Sequence, residues 1–261
     1  MNKLLSLFML CIVFGWRFQV DPDPLLPKKE NFWIFILAGQ SNMAGRGLLD
    51  PVDTVPDPRI FTLNVSDHWV PAKEPLHYYE PGRTGLDCGL SFGKDMIRQL
   101  DTSIYIGLIP CAVGGSSVEQ WLGDSTHRGV TLFSNLRHKA ELAEKVGTIK
   151  GILWHQGENN ANPTLIKDYE NKVLELFHQF RSAVHNDHLQ IMVGELANFL
   201  SKNEYGHYPD TINRILHHLP VRDPFISVIP TADLIHKGDS VHFDGPSQRV
   251  LGRRFAAAVK L

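Results

Sequence analysis

The chain reads as an α/β protein, a three-layer α/β/α sandwich around a five-stranded, mostly parallel sheet. Two observations carry that expectation. Segments of strand character alternate with segments of helical periodicity along the chain, which is the pattern of βαβ crossovers. The strand segments are unbroken apolar runs rather than inside–outside alternations, as expected of strands covered on both faces. At 261 residues the chain suits one large domain, with enough length for a substantial core. No internal repeat or low-complexity tract interrupts it.

Taken in order, the first stretch stands apart. Lys3 is followed by LLSLFMLCIVFG, an apolar run ending at Gly15. It is too short to span a bilayer and matches the apolar region of a secretory signal. Trp16-Arg17-Phe18 offers no small-residue cleavage pattern, so an uncleaved anchor is the alternative. Residues 1–20 are assigned to a signal peptide and the start of a linker, and residues 21–261 to a single domain. The expected product is secreted, extracellular and free of the membrane. Asn64-Val65-Ser66 is an acceptor for N-glycosylation, whereas Asn162-Pro163-Thr164 fails because proline occupies its middle position.

Asp21-Pro22-Asp23-Pro24 and Pro27 make an extended lead-in. Phe32 to Ala38 is the first buried strand, ending in Gly39-Gln40-Ser41-Asn42. Residues 48–88, rich in proline and charge, lack sustained periodicity and are expected to form a long loop walling a site. Trp69, His77, Tyr78 and Tyr79 in that segment either offer a face to a sugar ring or pin the loop down. Gly89 to Leu100 is a helix, Ile104 to Pro110 the second strand, Leu132 to Val146 a helix and Thr148 to Trp154 the third strand. Pro163 to Val184 repeats apolar residues at three- and four-residue steps and reads as a long amphipathic helix. Gln190 to Leu196 is the fourth strand, Asp210 to His218 a short helix and Phe225 to Ile229 the fifth strand. Pro246 to Lys260 is the last helix, with Asp244 placed to cap it and Pro246 in its first turn.

Composition narrows the function. With 43% hydrophobic and 21% charged residues and a formal charge of −2, the chain has no electrostatic case for nucleic acid or an acidic membrane. Nothing in it calls for an obligate oligomer, so a monomer is expected. Cys11 would leave with the signal; Cys88 and Cys111 either form one disulfide or serve as small buried apolar residues. No cysteine cluster has zinc spacing, and no metal or organic cofactor is expected.

The first three strands end in GQSNMAG, PCAVGGSS and HQGENN, polar small-residue loops gathered where a parallel sheet binds ligands. Ester hydrolysis at a serine needs a hydroxyl, an imidazole, an acid to hold the imidazole, and donors for the oxyanion. Ser41 supplies the hydroxyl or, on the plainer reading, merely caps a helix. Among thirteen histidines, His242 stands out because Asp239 lies three residues before it in one loop and can fold back onto Nδ1. His155 is the runner-up base. Gly114-Gly115 can present backbone amides, Ser41 its own amide, and Gln156 a side-chain amide.

Taken together, GQSNMAGRG at 39–47, PCAVGGSSVEQW at 110–121, WHQGENNA at 154–161 and DSVHFDGPSQ at 239–248 resemble the SGNH (GDSL-like) hydrolases. The likeness is closest to their branch of sialate O-acetylesterases, plant carbohydrate esterases and acetylxylan esterases. It implies a flavodoxin-like SGNH hydrolase fold and cofactor-free hydrolysis of acetyl or other short acyl esters on carbohydrates, through an acyl-enzyme. It implies Ser41 as nucleophile, His242 and Asp239 completing the triad, and an oxyanion hole from Ser41 and Gly115, with Gly114 and Gln156 as further donors. Glu158 is the alternative acid, or a residue behind the reacting groups. The wider family's G-D-S-L reads Gly39-Gln40-Ser41-Asn42 here, so lipase-type substrates are not implied.

Overall fold

A computed structural model of the chain describes residues 26–202 and 204–261; the signal assignment and Cys11 lie outside them. Strands and helices are numbered in chain order. β1 (Phe32–Gly39) leads into a single-turn α1 (Ser41–Ala44), followed by β2 (Ile60–Leu63), β3 (Trp69–Pro71), α2 (Gly89–Gln99), β4 (Tyr105–Pro110) and α3 (Val118–Leu122). A small hairpin, β5 (Thr126–His127) and β6 (Val130–Thr131), precedes α4 (Leu132–Val146), β7 (Thr148–His155), α5 (Tyr169–Ala183) and β8 (Gln190–Gly194). α6 (Tyr208–Arg222), β9 (Ile226–Ile229) and α7 (Gly245–Ala257) complete the chain.

The main sheet has seven strands in the order β3-β2-β4-β1-β7-β8-β9, not five. All neighbours pair in parallel except β3, which runs antiparallel on β2 at one edge. The two extra strands come from the 48–88 segment. They are four and three residues long, too short for a periodic signal; β2 takes its register from β4, and β3 takes its register from β2. The Asn64 side chain closes their hairpin by accepting the N–H of Ser66 at 2.9 Å and of His68 at 3.0 Å. The sequon therefore sits on an exposed turn, with Ser66 exposed and Asn64 partly so.

The five expected strands appear within a residue or two of their predicted limits. One helix starts later than its apolar periodicity suggested: α5 begins at Tyr169 because Asp168 is in a left-handed conformation, φ 60°. The preceding residues instead turn around Asn162, whose Oδ1 accepts the N–H of Thr164 and Leu165. The last helix is capped as expected, Asp244 accepting the N–H of Ser247 at 2.8 Å.

α2 packs on α7, while α5 touches α3, α4 and α6; the two groups cover the sheet. Trp154 on β7 meets Trp121, Phe177 and Phe180 edge-on at 5.6–5.8 Å. Phe35 on β1 meets Phe92 of α2 at 4.8 Å. Such edge-to-face pairs add about 0.5–1.5 kcal/mol each beyond the area they bury. Cys88 and Cys111 are both unpaired and buried; the Cys88 Sγ lies 3.7 Å from Met43 Sδ. Their role is packing. Because the chain crosses from β4 on one side of β1 to β7 on the other, the carboxyl end of β1 faces the crevice in which such sheets bind ligands.

Candidate active site

β1 ends by running hard against β7. Gly39 is paired with His155, has φ 131°, and an added Cβ would lie 2.1 Å from the His155 carbonyl oxygen. Only glycine allows that approach. The Gln40 N–H donates to the same oxygen at 2.9 Å, so the chain turns at once and Ser41 opens α1 at the sheet edge. Ser41 is thus both the first residue of a helix and a hydroxyl held out from it.

The partner comes from the loop before α7. His242 Nε2 lies 3.0 Å from Ser41 Oγ, and its Nδ1 lies 2.8 Å from Asp239 Oδ2. The other oxygen of Asp239 accepts the backbone N–H of Val241 at 3.0 Å and of His242 at 2.8 Å. The Asp-x-x-His spacing closes on itself as a local turn. Burial alone would raise the Asp239 carboxyl, but the hydrogen bonds from the His242 amide, its imidazole and the Val241 amide outweigh it and hold the pKa at about 2. An ionised carboxylate only accepts, so the Nδ1 proton faces Asp239 and the Nε2 lone pair faces Ser41.

Asn42 locks this loop from below. Its Nδ2 donates to Val241 O at 3.2 Å and its Oδ1 accepts the N–H of Phe243 at 3.1 Å, the residues on either side of His242. The remaining Nδ2 hydrogen goes to Glu158 Oε1 at 2.6 Å. Glu158 is 2% exposed and holds Asn42, while Asp239 occupies Nδ1 of His242; the alternative acid is behind the reacting groups rather than among them. His155 is fully buried with its Nε2 donating to Glu195 O at 2.9 Å, and burial lowers its pKa, opposed by the Glu158 charge. It is a core histidine.

The expected oxyanion donors divide sharply. The backbone N–H groups of Ser41 and Gly115 have no acceptor among the described residues, and Gly115 adopts φ 75°. Gly114 does not qualify, because its N–H is already donated to Glu80 Oε2 at 2.7 Å. Gln156 does not qualify either. It is wholly buried, its Nε2 donates to Asn160 Oδ1 at 2.7 Å and Ser116 O at 3.2 Å, and its Oε1 accepts the Tyr169 hydroxyl at 3.0 Å.

Asn159, three residues on, is a candidate side-chain donor beside Gly115 in place of Gln156. Its side chain is exposed, its backbone N–H donates to Gln40 Oε1 at 3.2 Å, and one Nδ2 hydrogen goes to Gly115 O at 2.9 Å, leaving the other available. The block HQGENN contains three amide side chains, and only burial separates them. The loop aromatics also divide. Trp69 and His77 are buried, His77 against Asp87 at 2.8 Å. Tyr78 and Tyr79 pack against each other at 4.7 Å with their rings tilted by 51° and spend their hydroxyls on Lys139, Asn135 and Pro110 O. They pin the loop. Among the described residues no group of three or more His, Cys, Asp or Glu is placed to hold a metal ion.

The carbohydrate esterase, sialic acid-specific acetylesterase family matches residues 31–260. The chain belongs to that family. A probable carbohydrate esterase of Arabidopsis thaliana is 30% identical over 244 residues, 86% of this chain and 89% of the relative. The X-ray structure of that Arabidopsis protein superposes with a TM-score of 0.76, at 29% identity, over 88% of this chain and 98% of that one. Two more distant structures share the fold: a carbohydrate acetylesterase of Xanthomonas citri (TM-score 0.61, 19% identity, 87% of this chain and 55% of that one) and an acetylxylan esterase of Geobacillus stearothermophilus (TM-score 0.54, 12% identity, 90% and 96%). The α/β architecture with helices flanking a mostly parallel sheet is that of the SGNH esterases.

Proposed function

We propose that the protein is a serine esterase that removes acetyl, or another short acyl group, from a carbohydrate. The observation that carries this reading is the continuous relay from Ser41 Oγ to His242 Nε2 at 3.0 Å and from His242 Nδ1 to Asp239 at 2.8 Å, in a chain of the carbohydrate esterase family. His242 takes the Ser41 proton as Oγ attacks the ester carbonyl. Negative charge on the tetrahedral oxygen is received by the amides of Ser41 and Gly115 and by Asn159 Nδ2. His242 returns its proton to the departing sugar hydroxyl, leaving acyl-Ser41. A water molecule then gives a proton to Nε2, attacks the acyl carbon, and releases the carboxylic acid with Ser41 restored. The paired charge of Asp239 stabilises the imidazolium in both steps without taking its proton.

Ser41 is 8% exposed and lies against His242, which is partly exposed, with exposed Asn159 on the neighbouring loop, so the site is at the surface, which suits an ester carried on a bulky sugar. The family description names sialic acid-specific acetylesterase, and the Arabidopsis relative is described as a probable carbohydrate esterase; both support an acylated sugar as substrate. Ser41→Ala should abolish p-nitrophenol release from p-nitrophenyl acetate and acetate release from acetylated oligosaccharides. Undiminished turnover in that variant would refute the assignment. We further propose that the enzyme acts as a secreted monomer, glycosylated at Asn64. Expression of the full chain in a eukaryotic host, with amino-terminal sequencing, glycosidase digestion and light scattering of the medium fraction, tests this; protein retained wholly in the cell argues against it.

A further inference from the structure

Resting on the esterase reading, we propose that Glu80 and His127 are positioning residues that aim the Gly115 N–H at the oxyanion. A trans peptide points its C=O and its N–H to opposite sides of one plane. The plane that carries the Gly115 N–H therefore has the Gly114 carbonyl as its other edge. That carbonyl is held by His127 Nε2 at 3.0 Å, and His127 Nδ1 is itself engaged by Gln120 Nε2 at 3.3 Å. The preceding plane is held by its own edge, since the Gly114 N–H donates to Glu80 Oε2 at 2.7 Å. The two peptides on either side of the Gly114 Cα are thus held, one by its N–H and the next by its C=O, and the second of them carries the Gly115 N–H.

The grip is built from parts of the chain with no other reason to meet. Glu80 comes from the 48–88 segment, His127 from the β5–β6 hairpin. Glu80 is 6% exposed, and two guanidinium groups balance its charge: Arg46 Nη2 at 2.6 Å from Oε2, and Arg128 Nη1 on Oε1. Arg46 follows α1, the turn that presents Ser41, and its Nη1 donates to Gly45 O at 2.7 Å. The same carboxylate therefore ties the serine loop to the glycine turn. Burial alone would raise the Glu80 carboxyl, but the hydrogen bond and charge of Arg46, the Gly114 amide and the Arg128 charge outweigh it and keep it ionised. The fit leaves no room for a side chain at 114, where an added Cβ would lie 2.3 Å from Arg46 Nη2 and 2.5 Å from Glu80 Oε2.

The test is a cycle of Glu80→Gln, His127→Ala and the double variant, assayed with p-nitrophenyl acetate and by thermal melting. Misplacing a reacting group by about 1 Å costs roughly 100-fold in rate, and losing one oxyanion donor about 100- to 1,000-fold. Each single variant should lower kcat by about 10- to 100-fold with KM within about threefold of wild type. The double variant should fall short of the product of the two effects, because both act through one donor. Folded single variants with wild-type kcat, or strictly multiplicative losses, would overturn the proposal. So would failure of both single variants to fold, which would make these residues part of the fold alone. A wild-type enzyme that hydrolyses no ester fails on the earlier reading instead, independently of this one.

Discussion

Replacing Asn159 by alanine removes one side chain at the surface and discriminates between two possible oxyanion holes. One Nδ2 hydrogen is spent on Gly115 O at 2.9 Å, and the proposal gives the other to the substrate. A hole donor of this kind is worth about 2.7–4 kcal/mol at the transition state, which is about 100- to 1,000-fold in kcat. KM for a small ester should change little, since the ground-state carbonyl carries little charge to lose. The stability cost should be small, because water can replace an exposed hydrogen bond worth about 1 kcal/mol, and about 1 kcal/mol lowers the melting temperature of a domain of this size by about 2–4 °C. Gln156→Ala should show the reverse signature. That side chain is buried and serves Ser116 O, Asn160 Oδ1 and the Tyr169 hydroxyl. Asn160 Oδ1 keeps the Val118 N–H and the Tyr169 hydroxyl keeps the backbone carbonyl of residue 156, so one stranded acceptor, Ser116 O, at about 1–3 kcal/mol should lower the melting temperature by about 2–12 °C. Both variants would be purified, their active fraction titrated with a serine-reactive phosphonate, and kcat measured per labelled site with p-nitrophenyl acetate beside a thermal melt. An Asn159→Ala enzyme that melts as wild type and keeps kcat within about threefold would refute the assignment of the donor.

Asp239 and the thiols give two further expectations. The Asp239 carboxyl falls from its ordinary value of 3.8 to about 2 in the fold, so its contribution to stability is complete above about pH 4 and is lost as pH falls through 2. Asp239→Asn should flatten that part of the acid-stability curve and, with the imidazole held in the wrong tautomer, reduce kcat by about 10,000-fold, the loss known for an asparagine at this position of a serine protease triad; an unaltered kcat would show that Asp239 does not orient His242. Burial pushes the Cys111 thiol up to about 12, with Lys139 partly opposing it, and raises the Cys88 thiol well above its ordinary value. Neither should react with a disulfide reagent in the folded protein at pH 8, and both should react after unfolding without a reductant. A mass consistent with a bridged pair would contradict this.

Much of the molecule was written locally. The five predicted strands follow from apolar runs and the helices over α2, α4 and α7 from periodicity, because burial leaves a mark on their composition. Asp239 and His242 are legible as a pair because their hydrogen bonds close within one turn of three residues. Gly39-Gln40-Ser41 is legible because a glycine at a strand end permits the close approach and sharp turn that an α/β protein places before a loop residue. β2 and β3 are different: seven residues in all, they are strands because β4 offers an edge to pair with, not because of their own composition.

Which amides of the proposed oxyanion hole are unspent was beyond the reach of the sequence for the same reason. Gly114 and Gly115 are chemically identical, yet Glu80, thirty-four positions away, consumes the amide of one and leaves the other open. Gln156 and Asn159 both carry an amide, yet β7 and α5 bury the first while the loop after β7 lifts the second into solvent. Which atom remains free depends on partners that meet only when the chain is folded. The sequence alone determined the family and the Asp239–His242 pair that closes along one turn; the tertiary structure decided which polar groups are already satisfied, because hydrogen-bond capacity is spent through space and not along the chain.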